Sequence, residues 1–169
     1  IWIGKLGTSE MLAGSGYGDE VFGISYDLIK FISPIIIPEI AELHVSNKKN
    51  KINELVYNSL LLSTILGMFV GGIVFMNAEK LVELLISKDF EMYKYAVLYL
   101  KYRVLSLPFS LINSTIFGIL RGVQDFNIAL WINTKSQILN MILDPILMNK
   151  YGLIGIVIGT VIAEIYLSL

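Results

Sequence analysis

The chain has 169 residues, of which 55% are hydrophobic and only 16% charged, with a mean hydropathy of +0.69. A soluble domain carries about 25% charged residues, so this composition excludes an ordinary water-soluble globule. The 13 basic and 14 acidic residues nearly cancel, which leaves no basic excess for nucleic acid, and zero cysteines with one histidine, His44, exclude disulfides, thiolate chemistry and multi-histidine metal clusters within the chain.

A membrane helix needs roughly 20 mostly apolar residues, and segments of that kind recur along the chain. The expected fold class is therefore all-α, a polytopic membrane helix bundle. The alternating strands of about ten residues that mark a membrane β-barrel are absent. Ile1 to about Leu6 reads as the exit of one helix, and the chain stops at Leu169 inside an apolar run. Both ends read as cuts through helices of a larger protein.

Between the ends, residues 1–169 form a single partial transmembrane lobe. Gly7 to Glu10 is a turn in which Ser9 is expected to cap the next helix. Helices follow at about 11–43, 52–76, 92–120, 126–148 and 152–169. Pro34 and Pro38 should kink the first of these, and Pro108 interrupts the third. The stretch 78–86 sets Leu81, Val82, Leu84 and Leu85 against Glu79, Lys80 and Glu83, and is expected to lie at the membrane surface. Lys48, Lys49 and Lys51 are placed in the cytoplasm, although Lys5, Lys80, Lys88, Lys94 and Lys150 leave the positive-inside rule undecided.

Polar residues inside such helices are functional candidates, since a mid-bilayer charge costs at least ~2.5–3.5 kcal/mol on insertion scales. Asn133, Gln137, Asn140 and Asp144 are spaced 4, 3 and 4, so they share one helical face. Asn140 and Asp144, one turn apart, can converge an amide oxygen and a carboxylate on a small cation or on a proton. Asn133 and Gln137 can equally tie helices together. Thr160 can complete an oxygen site if its helix lies beside that of Asp144, which the short connection Asn149-Lys150-Tyr151 favours. Glu164 lies one turn beyond Thr160. Glu20 and Asp27 share a face, with Lys30 one turn after Asp27, and these are candidate lining residues of a water-filled cavity. Asp19 is expected near the interface. Lys101 and Arg103 are expected to snorkel towards water, and Ser106, Ser110 and Asn113 follow one face of the same segment.

These residues in this order resemble the multidrug and toxic compound extrusion (MATE) family. Ile3-Gly4-Lys5-Leu6-Gly7 with Glu10 and Ala13 is similar to its first-helix exit. Leu120-Arg121-Gly122-Val123-Gln124-Asp125 resembles its Arg-Gly turn between the fourth and fifth helices. Asn140-Met-Ile-Leu-Asp144-Pro145 looks like its fifth-helix motif, and Gly152-Leu-Ile-Gly155 with Thr160 and Glu164 its sixth helix. The Asn-x-x-x-Asp spacing resembles the DinF-like branch. The resemblance implies an exporter of two six-helix lobes in a bacterial inner membrane, or a plasma or plastid membrane in a eukaryote. This chain would be most of the N-terminal lobe, lacking most of the first helix and the C-terminal lobe. It implies H⁺ or Na⁺ binding at Asn140, Asp144 and Thr160, with Asn113 as a fourth-helix member and a first-helix Asp falling before Ile1.

The expected function is thus secondary antiport of organic or drug-like solutes against H⁺ or Na⁺, without enzymatic activity and with no cofactor beyond the coupling ion. A small-molecule substrate, the bilayer and the remainder of the same protein are the expected partners. One competing expectation is a lipid-linked oligosaccharide flippase of the same superfamily, whose cavity should be strongly basic. Another is a non-transporting assembly subunit or an intramembrane enzyme, which would need Asp27 and Asp144 to pair or His44 to meet a nucleophile.

Overall fold

The computed structural model describes residues 2–168, and the expected helix ends at Ile1 and Leu169 lie outside the described residues. The helices are α1 (Trp2–Leu6), α2 (Ser9–Ile29), α3 (Ile32–Val45), α4 (Lys49–Met76), α5 (Ala78–Glu83), α6 (Met92–Arg103), α7 (Leu107–Gly122), α8 (Phe126–Tyr151) and α9 (Leu153–Ser168). A 3₁₀ turn, Val104–Ser106, joins α6 to α7. The described residues contain no strand.

Two of the long sequence segments are broken, and each break lies four residues ahead of a proline. Pro34 has no N–H to give to the carbonyl of Lys30, and its ring crowds that group; the helix breaks at Lys30 and Phe31, between α2 and α3. Pro108 stands in the same relation to Val104, where the 3₁₀ turn starts. The expected kink at Pro38 does not appear as a break, and both Pro38 and Pro145 sit inside continuous helices. The expected cap also moves by one residue. Ser9 is already helical and donates to Glu10 Oε1 at 3.0 Å, whereas Thr8, in extended backbone, accepts from Met11 N at 3.2 Å.

The bundle has the polarity of a membrane protein. On α4 the buried face is Ser59, Ser63, Gly67, Gly71 and Val74, while Leu61, Ile65, Met68 and Phe69 stand exposed. Small residues inside and large apolar ones outside suit lipid as the surrounding solvent. Three stretches, Ser9–Val45, Lys49–Met76 and Met92–Gly122, are long and apolar enough to cross a membrane by themselves. At 26 residues α8 is long enough, but its polar residues make it less apolar than those three.

Helix α2 packs against α6, α3 and α4 pack against α7, and α8 packs along α9, which also touches α6 and α7. The core gathers Val21, Phe22, Val82, Leu100, Leu107 and Leu111. The 78–86 stretch contributes one face to that core. Ala78, Val82 and Ile86 turn inward at helical spacing, and Leu84 and Leu85 remain outside.

Candidate functional site

Two polar clusters meet on α9, one helical turn apart. The first lies between α8 and α9. Gly152, with φ at +61°, makes the sharp turn that sets the two helices side by side. Asn140 then stands 3.4 Å from Thr160 Oγ1 by its amide nitrogen. Its other amide position is 2.8 and 2.9 Å from the two Asp144 carboxylate oxygens. Nitrogen in that position donates to both oxygens. Oxygen in that position is favourable only with a shared proton or a cation between the groups, because three acceptors otherwise face one another. Thr160 Oγ1 donates to the Ile156 carbonyl at 3.1 Å, which leaves its lone pairs available. Asp144 is half-buried, and among the described residues no Lys or Arg pairs with it.

The second cluster is built around Arg103. The guanidinium donates to Glu164 Oε1 at 2.9 Å and to Ser106 Oγ, and its Nε lies 3.7 Å from Asp19 Oδ1. It covers the face of Phe22 at 3.9 Å from the ring centre, a favourable cation–π placement. The Arg103 and Glu164 side chains are only 12% and 19% exposed, whereas that of Asp19 is 59% exposed. Ser110 Oγ donates to Glu164 Oε2, and Asn113 Nδ2 donates to the Glu164 backbone carbonyl at 3.0 Å. Asn113 Oδ1 is buried with no hydrogen-bond partner among the described residues.

These groups wall one end of a cavity of about 520 Å³, which continues past Tyr26, Ser33, Ser114 and Phe117 to Arg121. Acidic and basic residues balance along it, with Asp19 and Glu164 against Arg103 and Arg121.

Set against the sequence, the structure brings Asn140, Asp144 and Thr160 together. Asn113 makes its contact one turn further along α9, at Glu164. Glu164 does line the cavity. Glu20, Asp27 and Lys30 do not: Asp27 and Lys30 form an exposed ion pair at 2.7 Å, and Glu20 is exposed. The cavity face of α2 is Asp19, Phe22, Gly23 and Tyr26, so Glu20 and Asp27 each fall about 100° away from it. Asn133 and Gln137 are exposed on α8. Asp19, expected near the interface, and Arg103, expected to snorkel, both line the cavity. Arg103 turns inward instead of snorkelling, while Lys101 does reach out, to Glu79 at 2.8 Å.

Comparison with known proteins agrees with this architecture. The MatE family model matches residues 1–146. The chain is similar to Protein DETOXIFICATION 43 of Arabidopsis thaliana, 28% identical over 114 residues, which are 66% of this chain and 22% of that protein. It is also similar to a solved crystal structure of a MATE mutant, with a TM-score of 0.86 and 27% identity over 99% of this chain. Another, "Crystal structure of MATE in the bent conformation", gives a TM-score of 0.85 and 25% identity over 99% of this chain. In both cases the chain spans 38% of the solved one. The structural matches take in α9, which lies beyond the residues that the family model covers. The chain belongs to the MatE family and is an integral, multi-pass membrane protein.

Proposed function

We propose that the protein containing this chain is a secondary active antiporter that exports organic or drug-like solutes in exchange for H⁺ or Na⁺, and that Asn140, Asp144 and Thr160 hold the coupling cation. The Asn140–Asp144 spacing supports membership of the DinF-like branch. A first helix and a second lobe complete the transporter in this reading, and the Asp19–Arg121 cavity is the solute path through the present lobe. Its volume of about 520 Å³ falls in the range of small-molecule sites, ~300–1,000 Å³, and Phe22, Tyr26 and Phe117 give it aromatic walls.

The observation that carries the reading is the Asp144 carboxylate, inside a helix pair, with only neutral partners among the described side chains. An unpaired charge there is costly, and a proton or cation removes that cost. The neighbouring amide is suited to both states. With Asp144 charged and empty, the Asn140 nitrogen faces the carboxylate. With Asp144 protonated or holding an ion, the oxygen faces it and the nitrogen turns to Thr160. A cation that binds one arrangement better than the other shifts the balance between access states.

The competing readings fit less well. A flippase for anionic headgroups wants a basic excess, and the cavity is balanced. Intramembrane proteolysis by paired aspartates would need Asp27 beside Asp144, but Asp27 is exposed in an ion pair with Lys30 on α2. Members of the family are transporters rather than enzymes.

The test is Asp144→Asn in the full-length protein, reconstituted in vesicles. Cation-driven efflux should be abolished while insertion is retained; efflux equal to that of the unaltered protein would refute the assignment.

A further inference from the structure

We propose that Gly159 is a positioning residue of the cation site, because it leaves the gap in which the Asp144 carboxylate lies. This rests on the reading of Asn140, Asp144 and Thr160 given above. Two glycines on α9, one turn apart, face α8, and their surroundings differ. A methyl group at Gly155 would run into the backbone carbonyl of Leu147. Backbone cannot swing aside, so Gly155 is required for the helix pair itself. A methyl at Gly159 would meet Asp144 Oδ1 at 2.8 Å, and the next nearest atoms are the Asp144 nitrogen and Leu143 Cβ, both at 3.6 Å. The latter two are ordinary van der Waals contacts.

The one obstructing atom at Gly159 is therefore the end of a side chain. A carboxylate can rotate away from a methyl group at little cost to the backbone. It cannot do so and keep both oxygens 2.8 and 2.9 Å from the Asn140 amide. The glycine thus fixes where the carboxylate stands relative to Asn140 and to Thr160, its neighbour in sequence. Oxygen sites for small ions are sensitive to such displacements, because the ion needs several oxygens at fixed distances. The substitution is predicted to damage ion binding while sparing the fold, the reverse of Gly155.

In the full-length protein, G159A should raise the half-saturating concentration of the coupling cation by about tenfold or more, the range seen when groups supporting an ion's ligands are altered. Maximal efflux under a saturating gradient should be retained. An unchanged half-saturation, or a fall in maximal efflux alone, overturns the proposal. A thermal-unfolding cycle of G159A, D144A and the double variant reads the contact without transport. The change in unfolding temperature on G159A should be less favourable in the Asp144 background than in the D144A background, where the helical preference of alanine over glycine is left to act alone. Equal changes in both backgrounds overturn the proposal. If G159A fails to insert, insertion rescued by D144A supports it, and failure to rescue overturns it. Thermal coupling with normal efflux in D144N means that the cation-site reading has failed. Lost efflux in D144N without thermal coupling means that the Gly159 assignment has failed.

Discussion

The two carboxylates that α9 touches, Asp144 through Gly159 and Glu164 on α9 itself, are handled in opposite ways. Glu164 faces a guanidinium at 2.9 Å, a serine hydroxyl and, through its backbone, an amide. Its charge is already answered by the protein. Asp144 faces an amide that can turn either way, with a threonine hydroxyl next to it. Its charge is left to be answered from outside. A fixed pair holds helices in place, whereas an unanswered charge can take up and release a cation. On the proposed reading of Asp144, the presence or absence of Arg103 is what separates a strut from a carrier.

The largest effect that would sharpen this contrast is the loss of cation-driven efflux in D144N described above. Next, changing only one member of the Arg103–Glu164 pair should destabilise the protein by about 1.5–3 kcal/mol, since it leaves a partly buried charge without its nearest partner. R103Q/E164Q, which removes both charges, should recover most of that loss in thermal unfolding. Equal destabilisation by the single and double variants would break the comparison, because the pair would then not be a strut.

Smaller effects grade the carrier site and the neutral contacts. Thr160→Ala should weaken cation binding by about tenfold in a titration of efflux, roughly the 1.4 kcal/mol of one hydrogen bond to a charged or ion-holding group. Ser63→Ala removes the 2.7 Å hydroxyl contact with Thr115 between α4 and α7 and should cost about 0.6 kcal/mol, a baseline for polar contacts without charge. Smallest is the exposed Glu79–Lys101 pair. The Lys101 ammonium, by its hydrogen bond and then its charge, holds the Glu79 carboxyl below the ordinary carboxylate range. Its small contribution to stability is present above that range and lost as pH falls through the lowered value. E79Q should flatten that part of the acid-unfolding profile.

Much of this contrast was legible in the sequence, but unevenly. The carrier side follows from spacing: Asn140 and Asp144 lie one turn apart on a single unbroken helix, and the short connection through Gly152 brings Thr160 alongside. The strut side depends on a helix break. Arg103 precedes the Val104–Ser106 turn, and three residues at about 120° rather than 100° each shift the phase by about 60°. A single period drawn through 92–120 therefore misplaces Arg103 relative to Ser110 and Asn113. On α2, periodicity gave two acidic faces, Asp19 and Glu20 with Asp27, and only packing against α6 and α7 chooses Asp19. In the 78–86 stretch, Leu81, Val82, Leu84 and Leu85 read as one apolar set, yet of these Val82 joins Ala78 and Ile86 in the core, Leu81 packs against it, and Leu84 and Leu85 stand exposed.

Cation-induced charge movement, recorded from vesicles bearing the full-length protein in the absence of solute, tests the proposed role of Asp144 most directly. R103Q/E164Q should retain the displacement on stepping Na⁺ or pH, and D144N should show none. Displacement that persists in D144N and vanishes in R103Q/E164Q would mean that the two carboxylates have the reverse roles.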